Sequence, residues 1–124
     1  MNGNAISKSS NPVSSDGIGV QELHDMISRG EPLLVAEILG AKYYDAGHLP
    51  GARNLPLEGF EATARTVAPD KAARIVVYCA SSTCANSDIA ARKLVELGYT
   101  NVRVFRGGKA AWTDAGFALV KEAS

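Results

Sequence analysis

A chain of 124 residues, 46% of them hydrophobic, is sized for one domain that buries its own core. Lysine plus arginine and aspartate plus glutamate balance at 13 each, so no net field selects nucleic acid or an anionic membrane. The apolar runs fall far short of the ~20 residues of a membrane helix, and the polar start "MNGNAISKSSNPVSSDG" has no apolar core for a signal peptide. Two cysteines without an export signal point to a reducing cytoplasm, where paired thiols more often serve chemistry than act as a staple.

Residues 1–16 read as a flexible tail and residues 17–124 as the domain. "VQELHDMISRGEP" predicts a helix with Val20, Leu23 and Ile27 on its apolar face and Gln21, Glu22, Asp25 and Arg29 opposite; Gly30 and Pro32 stop it. His24, at the border of that helix, reads as surface. "LLVAEI" (Leu33 to Ile38) predicts a buried strand. A helical turn follows from Ala41 to Tyr44, then a brief strand from Ala52 to Leu55 inside "GHLPGARNLP". "LEGFEATARTV" predicts a second helix, and "RIVVYC" (Arg74 to Cys79) the strongest strand, β-branched and aromatic. "SDIAARKLVELG" is amphipathic, with Ala90, Ala91, Leu94 and Leu97 inward and Gly98 as its stop. "NVRVF" is a strand and "GGKAAWTDAG" a short helix, with Trp112 packed on the sheet and Gly107 and Gly108 making the turn. Strands alternating with helices at this spacing predict an α/β fold: a central, mainly parallel sheet of about five strands with helices on both faces.

Cys79 closes the strongest strand, and ligands of open α/β sheets bind beyond the carboxyl ends of strands. The loop Ala80 to Asn86 carries no charge and turns into the helix that begins near Ser87. Its small side chains let backbone amides form a concave nest for an anion, and the helix end adds about half a positive charge. Both effects favour thiolate over thiol at Cys79. The plain reading, a small buried hydrophobe ending a strand, fits most free cysteines; the strand end, loop and helix start together favour a nucleophile in an anion-binding cup.

These residues bring the chain to a known family. "YDAGHLPGARNLP" (Tyr44 to Pro56), "IVVYC" with its loop and helix, and "VRVFRGGKAAW" (Val102 to Trp112) occur in the order of a single-domain rhodanese, which the chain resembles over about residues 17–121. The resemblance implies a rhodanese-like fold and a sulfurtransferase of the thiosulfate type with Cys79 as catalytic nucleophile. Cys79 would take the outer sulfur of thiosulfate or a persulfide donor. The backbone amides of Ala80, Ser81, Ser82, Thr83, Cys84 and Ala85 would hold the persulfide until a thiol, cyanide or protein acceptor removes it. No metal or organic cofactor is implied, and a monomer is expected, with neither nucleic acid nor membrane as partner. Two cysteines without CxxC spacing, with only His24 and His48, do not make a zinc site. His48 reads as a structural residue bonded to backbone.

Departures from the family pattern carry information. The usual loop cation is absent from "CASSTCANS", which removes a contact commonly worth about 1.5–3 kcal/mol to an anionic donor. Arg106 and Lys109 are candidates for the rim, or else ordinary surface charges. Ser87 comes two positions later than usual, as in phosphatase and arsenate-reducing relatives; those depend on an arginine where this chain has Asn86 and Ser87. Glu37 aligns with a strand aspartate and reads as a hydrogen-bond acceptor, while Leu39 replaces the arginine that often follows. Cys84, five positions after Cys79, is either a resolving thiol that forms a disulfide with it or a residue that fills space under the cup. Two alternatives therefore stand beside sulfur transfer: a thiol redox protein cycling a Cys79–Cys84 disulfide, and a non-catalytic rhodanese-fold binding module.

Overall fold

The run "IVVY" becomes the centre of the molecule. In the computed structural model, which describes residues 16–121, the elements in chain order are β1 (Asp16–Gly17), α1 (Val20–Ser28), β2 (Leu34–Glu37), α2 (Ala41–Ala46) and β3 (Arg53–Asn54). They continue with α3 (Phe60–Val67), β4 (Ile75–Tyr78), α4 (Asn86–Glu96), β5 (Val102–Phe105) and α5 (Gly108–Asp114). The sheet runs β1-β5-β4-β2-β3 with every pairing parallel. All four residues of β4 are buried, as expected of a strand covered on both faces.

The pleat of β4 divides the core. Ile75 and Val77 face α3 and α4, meeting Phe60, Ala64, Ala90, Ala91 and Leu94. Val76 and Tyr78 face the other way, into Leu23 and Met26 of α1 and Trp112 of α5. Each layer is a separate apolar cluster, so the α/β architecture with helices on both faces is as the alternation of elements predicts. No described helix is long and apolar enough to cross a membrane.

Several elements differ in detail from expectation. The buried pair of α1 is Leu23 with Met26, and Val20 and Ile27 pack at its margins; an i, i+3 pair points at the sheet more directly than the wider stripe. His24 is not plain surface, because its ring stacks on Phe117 at 3.7 Å and lies 5.5 Å from Trp112. α2 runs two residues further than its predicted turn, and Leu97 is only partly buried at the end of α4. β1 carries no sequence signal. It is held by backbone, through Ile18 N–H to the Val104 carbonyl at 3.0 Å, and by Arg103, which donates to the Gly17 carbonyl at 3.0 Å. The tail expected over residues 1–16 lies outside the described residues except for Asp16.

Candidate active site

β4 ends at Tyr78, and Cys79 is the first residue beyond it, only 1% exposed. The chain then turns tightly. The Cys84 amide donates to the Ser81 carbonyl at 3.1 Å, and the Ser81 and Thr83 hydroxyls share a 3.0 Å hydrogen bond. The turn brings residue 84 back over residue 79, with Cα atoms 6.4 Å apart, and the two cysteines are paired as a disulfide. Neither thiol is free in this state of the chain. Cys84 keeps part of its surface in solvent while Cys79 does not.

Three anchors fix the loop. Asn86, the first residue of α4, donates from Nδ2 to the Ile38 carbonyl at 3.1 Å, tying the helix start to the end of β2. On the other side, the Lys109 and Ala110 amides of α5 donate to the Cys79 and Ala80 carbonyls at 3.1 and 2.9 Å. Gly108 makes that approach possible. It has φ +61°, and a Cβ there would sit 2.3 Å from the Cys79 carbonyl oxygen. Ser87, 2% exposed, puts its hydroxyl 3.7 Å from Cys79 Sγ, where it can donate to a thiolate. Among amides 80–88, only that of Cys84 donates to a protein acceptor among the described residues. The rest of the loop and the first turn of α4 therefore keep the donor capacity an anion uses.

The two cations of "FRGGKAAW" are both engaged. Arg106 pairs with Asp88 at 2.8 Å, both half-exposed. The Lys109 ammonium turns inward to the carboxylate of Glu37 at 2.8 Å and donates to the Tyr43 carbonyl at 2.8 Å. Glu37 is fully buried, and its other oxygen accepts from the Tyr78 hydroxyl at 2.6 Å. That hydroxyl accepts from the Leu49 amide at 3.1 Å. Lys109 and Glu37 Oε2 face each other as an ion pair without the alignment of a hydrogen bond. Burial, and then the bond to Glu37, hold the Tyr78 phenol in its protonated form well above the usual phenol range. Glu37 thus is the hydrogen-bond acceptor expected, and the cation lost with Leu39 is replaced from α5.

His48 is buried where the backbone bridges to Val120, stacks on Tyr44 at 3.9 Å and places Nδ1 2.9 Å from the Tyr44 carbonyl, the structural role expected of it. Trp112 is buried and donates from Nε1 to the Ala118 carbonyl at 2.9 Å. Two features go beyond the sequence-based expectations, although each leaves a signal in the sequence. Glu37 and Tyr78 are the last residues of neighbouring parallel strands and are direct register partners. A buried carboxylate and a buried phenol each need a partner. Asn86, a polar side chain opening a helix after a loop, is the other.

The model of the Rhodanese-like domain family matches residues 19–115. No curated protein matches the sequence. Among solved structures, a Bacillus halodurans protein superposes with a TM-score of 0.81 at 24% identity, covering 97% of this chain and 87% of its own. The thiosulfate sulfurtransferase of Pseudomonas aeruginosa gives 0.79 at 22% identity, covering 90% of this chain, which spans only 21% of that longer protein. The polysulfide-sulfur transferase of Wolinella succinogenes gives 0.72 at 13% identity, covering 93% and 85%. At these identities the superpositions establish the fold, and the family match covers well over half of the sequence: the chain belongs to the rhodanese-like domain family.

Proposed function

We propose that the chain is a sulfurtransferase that carries a sulfane sulfur on Cys79. The reading rests above all on one observation. A cysteine directly follows the central strand, and the loop behind it keeps amide after amide without a protein acceptor at the start of a helix. In the reduced protein the Cys79 thiolate attacks the outer sulfur of the donor. A new S–S bond forms, the donor's own S–S bond breaks, and sulfite leaves if the donor is thiosulfate. The amides of Ala80 to Thr83 and of Ala85, together with the Ser87 hydroxyl, hold the persulfide anion, as oxyanion holes hold developing charge; the Cys84 amide, expected from the sequence to join them, is taken by the Ser81 carbonyl. A thiol, cyanide or protein acceptor then takes the outer sulfur and Cys79 leaves as thiolate.

With Arg106 and Lys109 engaged elsewhere, the loop offers a dianion no side-chain cation. Low-molecular-weight or protein persulfides are therefore the favoured donors, and a reducing compartment such as the cytoplasm suits a catalyst that works from its free thiol. The test is intact mass of the reduced protein after thiosulfate and, separately, a persulfide donor. Addition of one sulfur to Cys84→Ser, in which no second thiol can remove it, but not to Cys79→Ser is expected. A rate strongly favouring thiosulfate refutes the donor preference, and no added sulfur in any arm refutes the reading. The Cys79–Cys84 pairing favours a second reading, thiol redox cycling without sulfur transfer. Its mark is turnover of a disulfide substrate that Cys84→Ser abolishes, with no persulfide formed on that variant.

A further inference from the structure

We propose that Cys84 resolves the Cys79 persulfide, giving the loop a second activity: release of the sulfane sulfur as hydrosulfide. This role rests on the persulfide reading of Cys79. The Cα separation of 6.4 Å lies inside the range a disulfide spans without backbone movement. The turn closed by the Cys84 amide on the Ser81 carbonyl and the Asn86 tether to Ile38 hold residue 84 over residue 79. The second thiol is thus presented at high effective concentration rather than by chance encounter.

The geometry also selects the sulfur that is attacked. Cys84 pairs with Sγ of Cys79, which is the inner sulfur of the persulfide. An acceptor that attacks the outer sulfur carries it away. A thiolate that attacks the inner one forms the Cys79–Cys84 bond, breaks the bond between inner and outer sulfur, and expels the outer as HS⁻. The sulfane sulfur is reduced by two electrons and the two cysteines are oxidised to the disulfide, so the step needs no outside oxidant. An external dithiol then resets the loop and is itself oxidised to a disulfide. It attacks Cys84, the partly exposed sulfur, and Cys79 departs as a thiolate toward the Ser87 hydroxyl. A purely structural staple is the weaker account of the pair, since a bridge across a sequence separation of 5 restrains the unfolded chain less than one that closes a long loop.

The experiment is a single turnover without reductant. Fully reduced wild type and Cys84→Ser, freed of reductant and oxygen, each receive one equivalent of thiosulfate or, in a parallel arm, glutathione persulfide; trapped sulfide and intact mass are read together. Wild type is expected to release one sulfide per chain above the donor blank and to end two hydrogens lighter than the reduced chain. Cys84→Ser is expected to end one sulfur heavier and release none. If both proteins keep the added sulfur and release nothing, the resolving role falls and the sulfurtransferase reading stands. Equal sulfide release from both also overturns the role of Cys84. If neither gains sulfur nor releases sulfide, the persulfide reading itself fails and takes the resolving role with it. If Cys84→Ser does not fold, the wild-type mass decides: two hydrogens lighter with sulfide released supports the role, and one sulfur heavier overturns it.

Discussion

Replacing Lys109 with methionine isolates the buried charge beneath the loop. Glu37 is 0% exposed and Lys109 16%, with 2.8 Å between the charged atoms. At an effective dielectric of about 20, that separation corresponds to roughly 6 kcal/mol of attraction. Water reaches the lysine end, so the measured loss should be smaller, about 3–5 kcal/mol, the range found when one partner of a buried pair is removed. Urea unfolding of the oxidised proteins, followed by the fluorescence of buried Trp112, gives this difference directly. The double variant Glu37→Gln/Lys109→Met removes both charges while the glutamine still accepts from Tyr78. It should recover most of the loss, and the two single losses should exceed the double by well over 1 kcal/mol. A Lys109→Met loss below about 1 kcal/mol would mean the pair behaves like a surface ion pair. Glu37 would then owe nothing to Lys109 as a buried counter-charge.

Gly108→Ala should cost roughly 2–4 kcal/mol, because the left-handed backbone disfavours a Cβ and the Cys79 carbonyl stands 2.3 Å from it. Gly59→Ala, with φ +67° and nothing within 4 Å, bears the backbone cost alone, so equal losses in thermal unfolding would refute the clash. Ser87→Ala should slow iodoacetamide alkylation of reduced Cys79 about tenfold at neutral pH, since it removes a donor to the thiolate; an unchanged rate excludes that role. Stability should fall at both extremes of pH. Hydrogen bonds from Arg74 and then Arg29 hold Glu31 below the usual carboxylate range, so its contribution is present above that range and is lost as pH falls through the folded value. Tyr78 keeps its proton when folded, so stability is full below the unfolded phenol value of about 10 and declines as pH rises past it. Phenolate absorbance that grows in step with unfolding would support this, and ionisation of Tyr78 in the folded chain would contradict it.

What can be read from the sequence follows which interactions leave a pattern. β4, α4 and β5 are legible because burial on one or two faces imposes a period on side chains, and Cys79 is legible because the end of a strand has a meaning in a parallel sheet. β1 is not, since two residues joined by backbone bonds leave no side-chain signature. Sequence alone leaves Lys109 as either a rim cation or an ordinary surface charge, whereas the structure takes it inward to Glu37. That pairing joins residues 72 positions apart and depends on how α5 docks, which no local pattern encodes. Cys84 stays open in the sequence for the same reason: spacing permits a disulfide or a filler, and the turn through Ser81 decides it.

Under the proposed function, the neutral loop and the second thiol are chemically linked. A cation at the loop tip would favour a dianionic donor and hold the persulfide as an anion; without one, the inner sulfur is left to a neighbouring thiolate with no competing charge. Adding a cation should therefore shift the donor preference toward thiosulfate. Thr83 is exposed at the turn, away from the anchors at Asn86 and Gly108. In Thr83→Arg, a charge-assisted contact of about 1.5–3 kcal/mol would correspond to roughly 10- to 150-fold. Solvent exposure of the site holds the expected gain in kcat/KM for thiosulfate near the lower end, about tenfold. The gain for a persulfide donor, whose transferred sulfur is not part of a compact dianion, should be smaller, and rising salt should erode the difference. Steady-state sulfite release with cyanide as acceptor measures the first rate, and thiocyanate formation measures the second. An equal rise for both donors would show that the arginine acts through the thiolate of Cys79. No change in either would show that donor charge is not read at this loop.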